Sequence, residues 1–199
     1  MKDKQIVAAF DFDGTITTKD TLLEFIRFAK GPLSFLGGFL LFSPLLIAYK
    51  LKLYPNRKAK QRLLSFFFKG MKLSDFDCLC NEFAEKSRHL IRTQAINTIQ
   101  KHIEHEDTIV IISASIENWV HPFANRLGIS SVLCTKLEID GEAYLTGHFA
   151  SINCYGAEKV RRLLQLYPHR EDYYLVAYGD SKGDKELLNF ADEKYYRRF

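Results

Sequence analysis

Two aspartates separated by one residue, Asp11 and Asp13, close an apolar run and are followed at once by Gly14 and Thr15. If the pleat of a strand persists to its end, that spacing sends both carboxylates to one side of a sheet. Two converging carboxylates repel unless a proton or a cation stands between them. A hard dication such as Mg²⁺, which takes oxygen ligands and shares them with a substrate phosphate, meets that need. Gly14 lets the backbone turn away sharply, and Thr15 offers a hydroxyl and an amide at which an anion can dock. The same pentapeptide also fits an ordinary strand that ends in an Asp-Gly turn.

Groups of similar character recur further along. Ser113 follows a second apolar run, where its hydroxyl can donate to a phosphate oxygen or cap a helix. Lys159 stands at the expected start of a helix, where its point charge can neutralise a phosphoryl group or stay solvated at the surface. Asp180 and Asp184 follow a third apolar run, and Gly179 and Gly183 allow the backbone to aim both carboxylates inward.

The elements that must bring these residues together are readable from the apolar runs. Residues 6–10, 108–112 and 173–178 are short, apolar and followed by small or acidic residues, the profile of buried parallel strands that deliver polar groups at their carboxyl ends. Open α/β sheets carry their sites there. Helix-length segments separate the runs, so the expectation is an α/β fold: a Rossmann-like three-layer core around a parallel sheet. The stretch between the first two strands, residues 18–107, is far longer than one crossover helix requires and is helical in composition. A helical cap over the carboxyl edge of the sheet is expected within it. Residues 133–149 alternate around Asp140-Gly141, which predicts a β-hairpin.

Composition narrows the class. Hydrophobic residues make up 47% and charged residues 26%, the balance of a packed globular chain and not of a disordered or fibrous one. The formal charge of +4, from 28 basic and 24 acidic side chains, is too small for a nucleic-acid binder. Cys78, Cys80, Cys134 and Cys154 match no zinc spacing, and the charged start Met1-Lys2-Asp3-Lys4-Gln5 leads into a strand without an apolar signal segment. Reduced thiols in a cytoplasmic protein are expected.

Taken in order, Asp11-Phe12-Asp13-Gly14-Thr15, Ser113, Lys159 and Gly179-Asp180-Ser181-Lys182-Gly183-Asp184 resemble the four motifs of the haloacid dehalogenase superfamily. Ser113-Ala114-Ser115, Val120-His121-Pro122 and Leu127-Gly128 resemble its phosphoserine phosphatase-like branch, whose helical cap is inserted directly after the first motif. The resemblance implies a catalytic core of residues 1–17 and 91–199 and a cap of residues 18–90. It implies an Mg²⁺-dependent phosphatase in which Asp11 attacks phosphorus, while Asp13 protonates the leaving oxygen and then activates water. It implies metal ligation by the Asp11 carboxylate, the Asp13 backbone carbonyl and Asp180, with Asp184 beside the metal directly or through water. Thr15, Ser113 and Lys159 would hold the phosphate. Dehalogenases of the family lack the second acid, so Asp13 favours phosphate chemistry, with transfer to another alcohol as a variant.

For the substrate, the informative segment is residues 33–49, which carries no charge, contains Gly37-Gly38 and Pro44, and precedes the basic residues Lys50, Lys52, Arg57, Lys58, Lys60 and Arg62. A spanning helix is disfavoured, because the motifs on either side must meet on one sheet. Two readings stand: a buried pair of cap helices bent at Pro44, or a surface hairpin dipping into a bilayer with the basic residues on the headgroups. The second resembles bacterial phosphatidylglycerophosphatase and implies a lipid phosphate substrate, with the protein peripheral to the inner face of the membrane. Phosphoserine is the alternative. Asp20 stands where phosphoserine phosphatases carry a glutamate that reads the substrate amine, but their carboxylate-binding arginine has no counterpart near residues 66–70. A reading of another class keeps the fold as a silent lipid- or partner-binding module. His102 and His105, beside Glu104 and Glu106, read as a solvated helix face, while Trp119 and residues 66–68 read as packing. Residues 194–199 read as an edge strand.

Overall fold

Residues 6–10 can be buried on both faces because every second side chain packs against a different helical layer. The computed structural model describes residues 4–51 and 53–199, apart from the side chains at 46 and 48–50. The expectations for residues 1–3 and for Lys52 lie outside the described residues. Strand β1 (Gln5–Phe10) is the centre of a five-stranded parallel sheet with β2 (Thr108–Ile116), β3 (Ser131–Thr135), β6 (Tyr173–Gly179) and β7 (Glu193–Tyr196), in the order β3-β2-β1-β6-β7. Ala8 and Phe10 face one apolar cluster with Ile99, Ile111 and Phe123, from β2, α4 (Thr93–Glu104) and α5 (Glu117–Arg126). Val7 and Ala9 face the other, with Leu163 and Leu187 from α6 (Ala157–Leu166) and α7 (Lys185–Phe190). This period-two division makes the three-layer Rossmann-like α/β fold.

Register sets the site. Phe10 pairs with Ile111 on one side and Tyr178 on the other, so the ends of β1 and β6 lie at nearly the level of Ser113 within β2. Asp11, Ser113 and Asp180 consequently emerge side by side.

The segment between β1 and β2 carries α1 (Thr21–Lys50), α2 (Asn56–Phe68) and α3 (Leu73–Lys86) before α4. Its two ends are drawn together. Thr17 and Ile91 form an antiparallel bridge, with Thr18 N–H donating to Leu90 O at 2.8 Å and Arg92 N–H to Ile16 O at 2.9 Å. An aromatic cluster seats the helices on the core. Phe25 stacks on Trp119 of α5 at 5.0 Å and meets Phe68, Phe76 and Phe83 at 5.3–5.4 Å.

Helix α1 breaks at Gly31, whose φ of 77° closes the first half, and Pro32 opens the second. The break therefore falls before the apolar block and not at Pro44, and the block is neither a buried pair nor a hairpin. One helical segment runs through it. Leu33, Leu40 and Leu41 are exposed, and so are Leu53 and Phe66, so residues 66–68 only partly pack. By length and composition Thr21–Leu45 could cross a membrane, yet Leu22, Phe25 and Ile26 are buried in protein. Its first half is core, and its second half is surface.

The hairpin forms as β4 (Leu137–Ile139) and β5 (Leu145–Phe149), but its turn takes residues 140–144, with the Asp140 carboxylate accepting from the Glu142 and Tyr144 amides at 3.0 and 2.9 Å. It joins the helical insertion: Gly70 N–H donates to Leu145 O, Leu145 N–H to Met71 O and Leu73 N–H to Ala143 O. His102 also departs from expectation. Its ring bonds Asp107 at 2.7 Å and the Tyr178 hydroxyl at 2.9 Å, so it belongs to the interior and not to a solvated face.

Where β7 begins, Asp192 closes the sheet edge. Its carboxylate accepts from the Leu175 amide at 2.7 Å and from Arg170 at 2.6 Å. Burial pushes its pKa up, but those donors outweigh that and hold it below the ordinary range. A depressed carboxyl gives stability that is complete above the unfolded-chain pKa of about 3.9 and fades as pH falls through the lower folded value. Asp192→Asn is therefore expected to lower stability at pH 7, with a gap from the parent that narrows below about pH 4 in denaturant titrations. A pH-independent gap would contradict this account.

Candidate active site

The site begins where β1 stops. The Asp11 amide still donates to Tyr178 O at 2.9 Å, but residues Phe12–Ile16 wind into a single wide turn and do not continue the pleat. Gly14 makes the turn possible: its φ is 81°, and a β-carbon there would collide with the Asp180 carboxylate. Both carboxylates line one cleft, as their spacing suggested, but a turn and not a continued pleat brings them there.

Asp11 joins Asp180 and Asp184, whose carboxylate oxygens lie within 4.8 Å of its own. Lys159 is not a surface lysine. It is 1% exposed, and its Nζ donates to Asp11 Oδ1 and to Asp184 Oδ1, each at 2.5 Å. The other Asp184 oxygen accepts from the Ser181 amide at 2.9 Å and hydroxyl at 2.8 Å. Arg197 fixes the opposite side of this loop, its amide on Gly179 O at 2.8 Å and its guanidinium on Asp180 O at 3.1 Å.

Asp13 is held apart. One of its oxygens accepts from the Thr21 amide at 2.7 Å and hydroxyl at 2.6 Å, at the start of α1, and the other accepts from the Ser115 hydroxyl. Trp119 completes the chain by donating to the Thr21 oxygen at 3.1 Å. Ser113 is buried in an irregular stretch of β2, where its hydroxyl accepts from the Ser115 amide at 3.1 Å. It lines the cleft and caps no helix. Thr15 is buried beside the turn, and its hydroxyl has no hydrogen-bond partner among the described residues. Asp20 reaches the mouth of the cleft, but one of its oxygens accepts from the Leu22 amide at 2.9 Å, as the first-turn cap of α1.

Ser115 and Thr21, which grip Asp13, and Asn56 and Lys60 of α2, which line the cleft, were given no role in the site by the sequence, where Ser115 stood only in a motif and Lys60 only in the basic segment. Ser115 had a visible signal, lying two residues past Ser113 on a strand. Thr21 had only its place next to Asp20.

Charge decides what the cluster can accept. Burial pushes the Asp11 carboxyl up to about 7 against the pull of Lys159, and the Asp184 charge adds to the rise. Asp13 is raised by burial and then by the Asp20 charge, and Asp180 by burial and then by Asp184. Asp184 is lowered in spite of its burial, because Lys159 and Ser181 favour its charged form. Lys159, likewise despite burial, is raised by Asp11 and Asp184. Three carboxylates thus gather around one ammonium, which bonds only Asp11 and Asp184, and Asp180 Oδ1 is buried without a partner among the described residues. An all-oxygen set with excess negative charge and an orphaned ligand atom fits a hard divalent cation.

Fold and site agree on a class: the chain belongs to the haloacid dehalogenase-like hydrolases, whose family profile matches residues 8–189. It is 36% identical over 202 aligned positions to Protein CicA of Caulobacter vibrioides, covering 100% of this chain and 89% of that one. Among solved structures, a protein of unknown function from Bordetella pertussis Tohama I superposes with a TM-score of 0.81 at 19% identity, over 97% of this chain and 90% of the other. A phosphoserine phosphatase solved as a phospho-aspartyl intermediate analogue superposes with a TM-score of 0.65 at 18% identity, over 98% and 87%. The fold is thus one shared with a solved phosphoserine phosphatase.

Removing Lys159 would leave Asp11 and Asp184 buried without their shared cation. Lys159→Gln is expected to destabilise the metal-free protein by about 3–5 kcal/mol in urea unfolding. A loss below about 1 kcal/mol would mean that these carboxylates do not depend on it.

Proposed function

We propose that this chain is a phosphatase that hydrolyses phosphomonoesters through an aspartyl-phosphate on Asp11, with residues 18–90 as a cap over a core of residues 1–17 and 91–199. The observation that carries this reading is the division of labour in the cleft, where Asp11 lies against Lys159, Asp180 and Asp184 while Asp13 is held separately by Thr21 and Ser115. Asp11, poised at the phosphate end, is the nucleophile: one oxygen forms the P–O bond as the ester oxygen leaves. Asp13, whose pKa is raised by burial, carries the proton that the leaving oxygen takes. The same carboxylate then accepts a proton from the water that attacks the aspartyl-phosphate, restoring Asp11. Ser113 and Lys159, which line the cleft, hold phosphate oxygens, whereas the Thr15 hydroxyl expected to join them is buried and Thr15 is not among the cleft's lining residues. Mg²⁺ fits the acidic set and would be held by the Asp11 and Asp180 carboxylates and the Asp13 main-chain carbonyl, with Asp184 beside it directly or through water. Its charge offsets that of the phosphoryl oxygens when it is bound.

Hydrolysis of p-nitrophenyl phosphate with Mg²⁺ is the direct test. Turnover is expected to disappear in Asp11→Asn and on chelation, and to return when Mg²⁺ is added back to the parent. Equal turnover in Asp11→Asn would remove Asp11 as nucleophile, and no turnover of any phosphate ester would favour a silent binding module.

A lipid phosphate is the substrate reading favoured by the surface of α1. Leu33 and Leu40 are 84% and 65% exposed, Leu53 is 77% exposed, and the exposed Arg57 and Lys58 follow on α2. An apolar helix face bordered by cations suits the surface of an anionic bilayer and a membrane-peripheral location. The protein is expected to sediment with anionic liposomes, less so at high salt, and Leu36→Asp with Leu40→Asp should abolish sedimentation without loss of p-nitrophenyl phosphate turnover. Phosphoserine turnover with no liposome binding would support the small-metabolite alternative.

A further inference from the structure

Strand β7 pairs with β6 as far as Gly179 opposite Tyr196, so the next residue, Arg197, arrives beside the loop that carries Asp180. There the chain turns. Arg197 has a φ of 52°, a left-handed backbone conformation that a residue with a β-carbon keeps only when its surroundings hold it. Its amide donates to Gly179 O at 2.8 Å, and its guanidinium donates from Nε to Asp180 O at 3.1 Å while lying over the Tyr196 ring at 5.1 Å. The rings around it are anchored too. Tyr178 stacks on Phe10 at 4.2 Å, on Tyr195 at 4.9 Å and on Phe199 at 5.8 Å, which ties residues 195–199 to the ends of the strands that deliver Asp11 and Asp180.

Asp180 depends on such support more than the acids beside it. The Asp11 carboxylate is held by Lys159, and that of Asp184 by Lys159 and Ser181, whereas Asp180 Oδ1 is buried without a partner among the described residues. Its main chain must therefore set where the carboxylate points. That main chain is held from two sides, the Asp180 amide donating to Asp184 Oδ2 at 3.3 Å and the Asp180 carbonyl accepting from Arg197.

We infer that Arg197 is a positioning residue, whose turn and whose bonds to Gly179 and Asp180 hold the Asp180 carboxylate in the orientation that takes up a divalent cation. The inference rests on the metal-dependent phosphatase reading above. Charge and alignment act here in opposite directions. A guanidinium near the site repels a dication, so losing its charge alone would tighten Mg²⁺ binding, while losing the alignment it imposes weakens it.

The Mg²⁺ Kd follows from the Mg²⁺-dependent rise in Tm of the metal-free protein, measured beside the Mg²⁺ concentration that half-saturates p-nitrophenyl phosphate turnover. Arg197→Gln and Arg197→Gly are each expected to raise both quantities about tenfold, the low end for a group that orients a metal ligand, because this guanidinium is exposed. Arg197→Gly keeps the main-chain bond and adopts a positive φ freely. Its metal-free Tm should be no lower than that of Arg197→Gln, which separates weaker metal binding from a weaker fold. Arg198→Gln, which removes a guanidinium lying over Tyr195 at 5.2 Å, should keep the parent Kd. A Kd that is unchanged or tighter in both Arg197 variants overturns the inference, and so does an equal rise in Arg198→Gln. A parent whose Tm does not respond to Mg²⁺ overturns it together with the cation assigned to the acidic set. If the Kd rises as expected in a protein that turns over no phosphate ester, the inference stands and the phosphatase reading falls.

Discussion

The ammonium of Lys159 lies between Asp11 and Asp184 in a place that water does not reach, and the arrangement around it follows from that contact. Without a cation at this point, carboxylates from the ends of β1 and β6 would repel across a few ångströms in a medium that screens poorly. With it, the loop after β6 can fold back through Ser181 onto Asp184, and Gly14 can pass close against Asp180. One ammonium still leaves the cluster acidic. The place is therefore organised for a further cation while remaining tolerable without it.

Asp13 shows a second arrangement of the same residue type. Thr21 and Ser115 reach it from α1 and β2, and Trp119 anchors Thr21 in turn. The start of the helical insertion, the acid and the aromatic cluster beneath it are thereby one connected unit. Packing at Phe25 and Trp119 bears directly on where that carboxylate points.

How much of this could be read from the chain depends on how far each residue's meaning extends. The parallel sheet was legible because its strands are short apolar runs, and the acids and serine that cluster stand immediately after them. Lys159 was different: nothing local distinguishes it from a surface lysine, and only the order of motifs pointed to it. Ser115 and Thr21 escaped because their role is defined by Asp13, 102 and 8 residues away. His102 looked solvated beside its glutamates because its partner Tyr178 lies 76 positions further on. For residues 33–49, hydropathy states a preference for leaving water and is silent on whether protein provides the refuge. The break at Gly31 is what carries the block away from the core.

The contact between the β4–β5 hairpin and the α2–α3 turn changes what movement is available to the helical insertion. A lid hung only from its two chain crossings, near Thr17 and Ile91, could swing as a rigid flap. Here the backbone bonds of Gly70, Leu145 and Leu73 form a third hinge point, supplied by a distant part of the chain. Swinging the flap would drag the hairpin along or tear that ladder, so any movement of the insertion is tied to the hairpin.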